Sequence, residues 1–473
     1  QLLHPRIDPK SLEGATLLAT GLAASPGAAV GKAVFDADTA AERGGHGGAG
    51  EAVILIRDET NPDDVHGMLA SKGVLTARGG KTSHAAVVAR GFGIPCVAGA
   101  EALEVNVHAH HFKVGGKVVN QGDIITLDGS TGNVYLGALP LIEPEISGAF
   151  GTLMSWADEF RTLKVRANAD NPRDSHQAIE FGAEGIGLCR TEHMFFEQDR
   201  LPIVQEMILT KDESVRQSCL DKLEVVQQAD FEGIFEAMNG KPVTIRLIDP
   251  PLHEFLPSHD QLIAETTELR TRIELGNSAL QAQLDEKMKL LAEVEAMKEQ
   301  NPMLGLRGVR LSIILPGLVG MQTRAIMKAA CAVTKRGGQV LPEIMIPLVG
   351  HVNELRVVQS QLEQVAKDVV ASEGVNVPYL FGTMIEVPRA ALTSGEIAEY
   401  AQFFSFGTND LTQMTFGYSR DDAEGKFLQR YVEQKILPRN PFETIDQTGV
   451  GRLMQMSVDE GRAVRNNLKC GIC

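Results

Sequence analysis

The spacing of apolar residues along the chain changes near residue 138. Between residues 21 and 137, short runs such as Val53–Ile56 and Ile124–Leu127 are separated by glycines and polar residues. Short apolar runs bounded by turn residues are typical of buried strands. We therefore predict a compact α/β domain over residues 21–137, preceded by a tail over residues 1–20. A proline-stiffened, polar stretch predicts a linker over residues 138–163.

From residue 164 to residue 473, strand-like runs alternate with helical segments, which indicates parallel βαβ units. Eight strands with intervening helices fit a (β/α)8 TIM-type barrel. The candidate strands are Lys164–Ala169, Gly185–Cys189, Val243–Ile248, Gly305–Arg310, Glu343–Leu348, Tyr379–Ile385, Phe403–Phe406 and Lys469–Ile472. No helical segment follows Cys473. We therefore expect the last helix of the barrel to be missing and the chain to be part of a longer protein.

Composition narrows the class of protein. The 473 residues carry 45 Lys and Arg against 61 Asp and Glu, a net charge of -16. This balance disfavours nucleic acid and anionic membranes as partners. No apolar run has membrane length and the N-terminus is not a signal peptide, so we expect a cytoplasmic protein or one of an organelle matrix. Cys470 and Cys473 form a C-x-x-C pair, but no second pair completes a zinc set.

The segment Gly79–Gly91 has the strongest candidate chemistry in the first domain. A glycine pair and the N-cap residues Thr82 and Ser83 precede His84 and an Ala/Val run, which predicts a short buried helix. His84 would lie in the first turn, where free N–H groups favour an anion. A neutral imidazole there could accept a phosphoryl group. The alternative is a helix-capping histidine, which the Gly-Gly-x-Thr-Ser-His context makes the weaker interpretation.

In the second domain, polar residues follow the candidate strands, where a barrel gathers its catalytic groups. Guanidinium groups suit a small substrate with phosphate and carboxylate groups, and carboxylates suit Mg²⁺. A cysteine at the end of the last strand could exchange a proton with substrate carbon; the alternative is a small core residue. The candidate substrate-binding residues are Arg190, Arg246, Arg307, Glu386, Thr408, Asn409 and Asp410; Glu386 and Asp410 are the candidate metal ligands; Cys473 is the candidate acid/base.

Several of these stretches resemble the pyruvate phosphate dikinase family. The resemblance is carried by Gly79–Gly91, by Cys189–Phe196 (CRTEHMFF), by Ile248–Pro257 (IDPPLHEFLP) and by Gly417–Asp422 (GYSRDD), and it extends over almost the whole chain from Gly21. Lys81 departs from the family, where a methionine is usual. The resemblance implies a swivelling phosphohistidine domain followed by a phosphoenolpyruvate-binding barrel that uses Mg²⁺.

The same resemblance implies a function. His84 would carry phosphate between a pyruvate/phosphoenolpyruvate site in the barrel and a nucleotide site in a preceding domain, in a homodimeric enzyme that interconverts ATP, pyruvate and phosphate with AMP, phosphoenolpyruvate and diphosphate. Cys473 would handle the proton, and Thr82 would be a regulatory phosphorylation site, as in plant members. The alternatives are phosphoenolpyruvate synthase and enzyme I of the sugar phosphotransferase system, in which phosphohistidine serves a carrier protein.

Overall fold

A computed structural model describes residues 4–45, 50–60, 64–79, 84–107, 109–143, 148–197, 199–299 and 301–473. The chain divides into two compact units, Gln1–Arg161 and Thr162–Cys473. Among the described residues, none of the helices combines the length and the apolar composition needed to cross a membrane.

The first unit is built on an eight-stranded mixed sheet in the order β2-β12-β11-β4-β5-β6-β7-β3, with β4 to β7 parallel. A three-stranded sheet, β10-β9-β8, and the pair β1-β13 complete it. The strands are β1 (Arg6–Ile7), β2 (Thr16–Thr20), β3 (Leu22–Ser25), β4 (Ala28–Val34), β5 (Val53–Arg57), β6 (Gly73–Thr76), β7 (Cys96–Ala98), β8 (Glu104–Asn106), β9 (His111–Val114), β10 (Lys117–Asn120), β11 (Ile124–Asp128), β12 (Asn133–Leu136) and β13 (Leu141–Ile142). The helices are α1 (Ala37–Arg43), α2 (Val65–Ala70), α3 (His84–Gly91) and α4 (Gly148–Phe160), with a 3-10 turn at Pro9–Leu12.

The ends of this unit differ in detail from the expected tail and linker. Strand β2, which lies within residues 1–20, pairs with β12 and forms one edge of the sheet. Strand β13, which lies within residues 138–163, pairs with β1, and the same stretch contains helix α4. Buried side chains lie on both faces of the sheet, so this unit has its own core.

The second unit is a curled sheet of parallel strands in the order β14-β15-β16-β17-β18-β19-β20. The strands are β14 (Ala167–Asn168), β15 (Ile186–Arg190), β16 (Pro242–Arg246), β17 (Leu341–Ile346), β18 (Leu380–Ile385), β19 (Phe403–Phe406) and β20 (Lys469–Ile472). Its α/β class and TIM-type curl agree with the sequence prediction. Nearly all residues of β17, β18 and β19 are buried, as expected of parallel strands that are covered on both faces.

Helices cover the outside of this sheet. They are α5 (Pro172–Glu180), α6 (Leu201–Leu209), α7 (Glu213–Ala237), α8 (His259–Glu274), α9 (Gln281–Met297), α10 (Gly308–Ile314), α11 (Pro316–Lys335), α12 (Val352–Glu373), α13 (Pro388–Leu392), α14 (Ser394–Ala398), α15 (Thr408–Phe416), α16 (Arg420–Lys426), α17 (Leu428–Glu433) and α18 (Val450–Val464), with 3-10 turns at His193–Phe196, Leu252–Phe255, Ser278–Leu280 and Pro302–Leu304. Helices α8 and α9 lie between β16 and β17, ahead of α10 and α11.

One of the eight predicted strands is wrong. Residues 305–310 do not join the sheet: a 3-10 turn ends at Leu304 and helix α10 begins at Gly308. Gly308 has a φ of 56°, a left-handed conformation that interrupts an extended strand. Among the described residues the sheet therefore has seven strands, and Lys469–Ile472 is the seventh and not the eighth.

Candidate active site

Arg246 ends strand β16 and is held by two acidic side chains. Its Nη2 donates to Glu192 Oε1, and its Nη1 lies 2.9 Å from Asp249 Oδ2. All three side chains are at least 88% buried, with exposures of 12%, 6% and 4%. Although burial disfavours the charged guanidinium, the nearby carboxylates of Asp249 and Glu192 raise the pKa of Arg246 on balance. Arg246 therefore stays charged inside the barrel mouth.

Arg307 joins this group from outside the sheet. It is the N-cap residue of α10, and its Nη2 donates to Asp249 Oδ2 at 2.5 Å and lies 3.1 Å from Asp410 Oδ2. Asp249 thus bridges Arg246 and Arg307. Arg307 therefore lies beside Arg246, although residues 305–310 do not form the strand that was predicted to carry it.

Glu386 follows β18 and is 2% exposed. Its Oε1 accepts a hydrogen bond of 2.7 Å from the N–H of Leu348, a residue with a φ of 61°. Burial, together with the charges of Asp249 and Asp410, raises the pKa of Glu386 to about 8, against the opposing effect of the two arginines. Burial is the largest of these effects, so Glu386 holds its proton more tightly than an exposed carboxyl does.

Cys473 and Thr408 meet where β19 and β20 end. The N–H of Cys473 donates to Phe406 O at 2.9 Å, and Thr408 Oγ1 donates to Cys473 O at 2.8 Å. The Cys473 side chain packs with Leu188, Met345, Met384 and Phe403 inside the barrel. The pKa of the Cys473 thiol is raised, mainly by burial. The charges of Arg190 and Arg246 lower this pKa, and the charge of Glu386 raises it further.

Cys470 lies on the other side of the same strand. It packs against the outer core of the unit, between the strands and the helices, while Cys473 packs in the interior cluster. Side chains three positions apart on a strand point to opposite faces. The C-x-x-C pair is therefore not arranged as a redox pair, and both cysteines are free thiols.

Asn409 and Asp410 occupy the first turn of α15. Asn409 Nδ2 donates to Asp410 Oδ1 at 3.1 Å, and Asn409 Oδ1 accepts from Arg420 Nη1 at 3.1 Å. Arg420 belongs to the Gly417–Asp422 stretch noted for its resemblance, and it orients the Asn409 amide. The amide–carboxylate pair is therefore fixed from the helix side of the site.

Arg190 ends strand β15 beside Arg246, with which it is in register. Its N–H donates to Asp170 Oδ1 at 2.6 Å. Its charge, like that of Arg246, acts on the Cys473 thiol. The second unit thus brings together the candidate residues Arg190, Arg246, Arg307, Glu386, Thr408, Asn409, Asp410 and Cys473 at the carboxyl ends of its strands.

The candidate residues of the first unit are only partly described. His84 is the first residue of helix α3, as the helix-start prediction requires. Its side chain, and Thr82 with the rest of residues 80–83, lie outside the described residues. Helix α3 follows β6, the third of the four parallel strands in this sheet.

The sequence prediction missed three acidic residues of the barrel mouth: Asp170, Glu192 and Asp249. Each lies two or three residues beyond the end of a strand or next to a predicted site arginine. This position, close to a strand end or a site arginine, was the signal in the sequence that could have identified them. Their partners could not be read from the chain because Glu192 and Arg246 are 54 residues apart, and Asp249 and Arg307 are 58 apart.

The acidic groups of the barrel mouth bear on whether it can hold a metal ion. No group of three or more His, Cys, Asp and Glu side chains is arranged as a complete metal cage in the part of the chain that the structure describes. Mg²⁺ does not require one, because it is usually held by one or two carboxylates, waters and substrate oxygens. The side chains of Glu386 and Asp410, which are close enough for the charge of one to act on the other, have the donor atoms of such a two-carboxylate site.

Comparison with known proteins agrees with this geometry. The model for the PEP-binding domain of PEP-utilising enzymes matches residues 144–473, and the model for the mobile domain of PEP-utilising enzymes matches residues 49–132. The chain belongs to the family of PEP-utilising enzymes. Within that family, it is 50% identical over 474 aligned residues to pyruvate, phosphate dikinase of Clostridium symbiosum, with 100% of this chain and 52% of the relative covered.

Other PEP-utilising enzymes match equally well. The chain is 51% identical to pyruvate, phosphate dikinase of Rhizobium meliloti (strain 1021), covering 100% of this chain and 51% of the relative. It is 52% identical to pyruvate, phosphate dikinase 2 of Zea mays, and the alignment covers 100% of this chain and 52% of the relative. The chain thus spans about half the length of the curated relatives it matches.

Proposed function

We propose that this chain carries the phosphoenolpyruvate side of a pyruvate, phosphate dikinase reaction. The observation that supports this most is the cluster of Arg190, Arg246 and Arg307 with buried carboxylates and Cys473 at one end of a PEP-binding barrel. In the reaction, the P–O bond of phosphoenolpyruvate breaks and a P–N bond forms on the imidazole of His84. The other product is the enolate of pyruvate.

The arginines would bind the substrate anion. Guanidinium groups offer paired N–H donors that match phosphate and carboxylate oxygens. Arg246 and Arg307 are already ion-paired, so the substrate would share them with Glu192 and Asp249. Asn409 and Thr408 add neutral polar groups at the same end of the barrel. Such a preorganised, largely buried site suits stabilisation of the charge that develops as the phosphoryl group leaves.

Glu386 and Asp410 would hold Mg²⁺. When bound, the ion would neutralise negative charge on the substrate oxygens. Because the ion binds the carboxylate form, it would displace the proton that burial, with the charges of Asp249 and Asp410, favours on Glu386.

Cys473 would supply the proton that converts the enolate to pyruvate. Because burial raises the pKa of the thiol, Cys473 is protonated at neutral pH and can act as the acid. The Sγ–H bond breaks, a C–H bond forms at the substrate methylene carbon, and a thiolate remains. The charges of Arg190 and Arg246 stabilise that thiolate.

The complete enzyme would interconvert ATP, pyruvate and phosphate with AMP, phosphoenolpyruvate and diphosphate. The remaining half of the relatives' length would provide the nucleotide site. We also propose a homodimer located in the cytoplasm or an organelle matrix. A phosphate on Thr82, two residues before His84, would repel the incoming phosphoryl group and so could regulate transfer.

The test is transfer of label from [³²P]phosphoenolpyruvate to the chain in the presence of Mg²⁺. We expect acid-labile, base-stable label on the wild type and none on His84→Ala. His66→Ala is the matched control, because His66 is a half-exposed histidine of the same unit, paired with Asp38 at 2.9 Å. Label that survives in His84→Ala, or a wild type that binds phosphoenolpyruvate without becoming labelled, would contradict the proposal.

A further inference from the structure

Asp170 makes two hydrogen bonds to the segment that carries Arg190. Its Oδ1 accepts from the N–H of Arg190 at 2.6 Å, and its Oδ2 lies 2.8 Å from Nδ1 of His193. The Asp170 side chain is 20% exposed and that of His193 is 52% exposed. One carboxylate therefore holds both ends of the four-residue segment Arg190–His193.

The hydrogen bond from Arg190 to Asp170 compensates for the shortness of strand β14. Strand β14 is only two residues long and lies at an edge, and its register with β15 is irregular. The last backbone hydrogen bond between the β14 segment and β15 runs from the N–H of Ala169 to Leu188 O, at 3.2 Å. For the N–H of Arg190, the carboxylate of Asp170 replaces the strand carbonyl that a longer β14 would offer. A charged acceptor makes this bond stronger than the backbone bond it replaces.

The segment also carries a second connection to the site. Between Arg190 and His193, Glu192 bonds to the guanidinium group of Arg246. A shift of the segment would therefore displace two of the three arginines of the barrel mouth. His193 begins the 3-10 turn His193–Phe196. It is the one polar, titratable side chain of this turn, and the three residues after it are apolar.

We infer that Asp170 and His193 are positioning residues that fix Arg190 and Glu192 in the geometry that binds phosphoenolpyruvate. This inference rests on the proposed function. Neither residue needs to touch the substrate, because Asp170 acts on the backbone of Arg190 and His193 acts through Asp170. Holding the segment before binding removes an ordering cost from the affinity for the substrate.

The charge of His193 is part of the same arrangement. Its hydrogen bond to Asp170 raises the pKa of His193 above its ordinary value of 6.5, although burial opposes this. The charged groups that act on it are Asp170 and Glu192, which raise the pKa, and Arg190, which lowers it. The imidazolium form is therefore present below the raised pKa and is lost as the pH rises through it.

Calorimetric titration of the full chain with phosphoenolpyruvate and Mg²⁺ tests the inference. Asp170→Asn keeps an acceptor for Arg190 but loses the carboxylate that pairs with His193, and we expect an affinity weakened about tenfold. The matched control is Asp446→Asn. Asp446 likewise accepts hydrogen bonds from one side chain, the Thr448 hydroxyl, and from backbone N–H groups, those of Gly449 and Val450, but it lies outside the site. We expect Asp446→Asn to bind phosphoenolpyruvate as tightly as the wild type.

His193→Gln provides a second measurement, at a side chain that is 52% exposed. We expect its affinity to be about threefold weaker than that of the wild type at pH 6, and the ratio to approach one above the His193 pKa. Titration of the substrate phosphate cancels in this ratio. NMR of ¹³C-labelled histidines should show a His193 pKa that falls in Asp170→Asn, and circular dichroism checks that each variant is folded.

The outcomes separate the two proposals. A wild type that does not bind phosphoenolpyruvate would overturn the proposed function. A wild type that binds it, with Asp170→Asn and His193→Gln as tight as the wild type at every pH, would overturn the positioning role alone.

Discussion

At the scale of single residues, the barrel mouth is organised by buried ion pairs. Arg246 and Arg307 share Asp249, and both side chains are 12% exposed. Buried pairs of this kind add little net stability, because removing the charges from water offsets much of their attraction. Their value is positional: each guanidinium group is held in one orientation and keeps its charge.

Burial makes ionisation of Glu386 unfavourable. Because its pKa is raised to about 8 in the folded protein, the folded state holds a proton that the unfolded state releases above about pH 4.5. The contribution of Glu386 to the free energy of unfolding therefore falls as the pH rises between these values, by on the order of 1 kcal/mol per pH unit at most, and no longer changes above about pH 8. This contribution is available below pH 5 and is lost by pH 8.

Replacing Glu386 with glutamine should therefore stabilise the free chain at pH 8 and abolish transfer of label to His84. The amide oxygen can still accept from Leu348 N–H, which now donates to Glu386 Oε1 at 2.7 Å, and no buried charge remains. Urea denaturation at pH 5 and pH 8 measures the first effect, and the labelling assay measures the second.

Glu343 is the matched control for this prediction. It is a buried glutamate on the neighbouring strand, but its pKa is lowered: burial alone would raise the pKa, yet bonds and charge from Arg166, with Thr244 and Lys469, outweigh it. Its stabilising contribution is present above the unfolded pKa and is lost as the pH falls. Glu343→Gln should thus destabilise the chain at pH 8. If Glu386→Gln and Glu343→Gln changed the free energy of unfolding at pH 8 in the same direction, the opposite pKa shifts given to these two glutamates would be contradicted.

At the scale of elements, turns decide where the functional side chains lie. The apolar run around Arg307 has the composition of a strand, but Gly308 in the left-handed region starts a helix. A Cβ atom at Gly308 would lie 2.7 Å from Leu348 Cβ, so the glycine also permits the close approach of α10 to the end of β17. Arg307 reaches the site because this turn replaces a strand.

A second glycine controls the junction between β19 and α15. A Cβ atom at Gly407 would lie 2.7 Å from Glu386 Oε2 and 2.8 Å from Met384 Sδ. Because the Glu386 side chain is buried and hydrogen-bonded, it cannot move aside without leaving its site. Gly407→Ala should therefore reduce the rate of His84 labelling at least tenfold and lower the melting temperature.

The control for Gly407 is Gly425, a helical glycine of α16 with no atom within 4 Å of an added Cβ. Gly425→Ala should leave labelling unchanged and stabilise the chain by about 0.5–1 kcal/mol, since alanine loses less backbone entropy on folding. Equal activity of the two alanine variants would show that space at Gly407 is not needed.

At the scale of the whole molecule, the two units have separate hydrophobic cores. The buried clusters of residues 19–134 belong to Gln1–Arg161, and the large cluster of residues 169–468 belongs to Thr162–Cys473. Separate cores allow separate unfolding. The proposed substrate site belongs to the second unit alone, while His84 belongs to the first.

Differential scanning calorimetry should therefore show two transitions. Phosphoenolpyruvate with Mg²⁺ at about 100 times the dissociation constant should raise the midpoint of the Thr162–Cys473 transition by about 4 °C and leave the other in place. Arg246→Ala should remove this shift. A single transition would contradict separate unfolding of the two units, and an equal shift of two transitions would contradict a binding site confined to the second unit.

The amino-acid sequence by itself determined the class of the fold and the chemical types of the site. Apolar periodicity predicted the α/β barrel, and the glycines before His84 predicted the start of α3. Both depend on neighbours in the chain, which a sequence displays. The polar residues after strands were found for the same reason, because parallel strands present their carboxyl ends at one edge.

Only the tertiary structure decided how the site is connected. The pairings of Arg246 with Glu192, of Arg307 with Asp249 and of Arg190 with Asp170 join residues 20 to 58 positions apart. The raised pKa of Glu386 depends on burial and on charges from three other segments. Such distances and burials arise from packing, and the chain carries no local pattern for them.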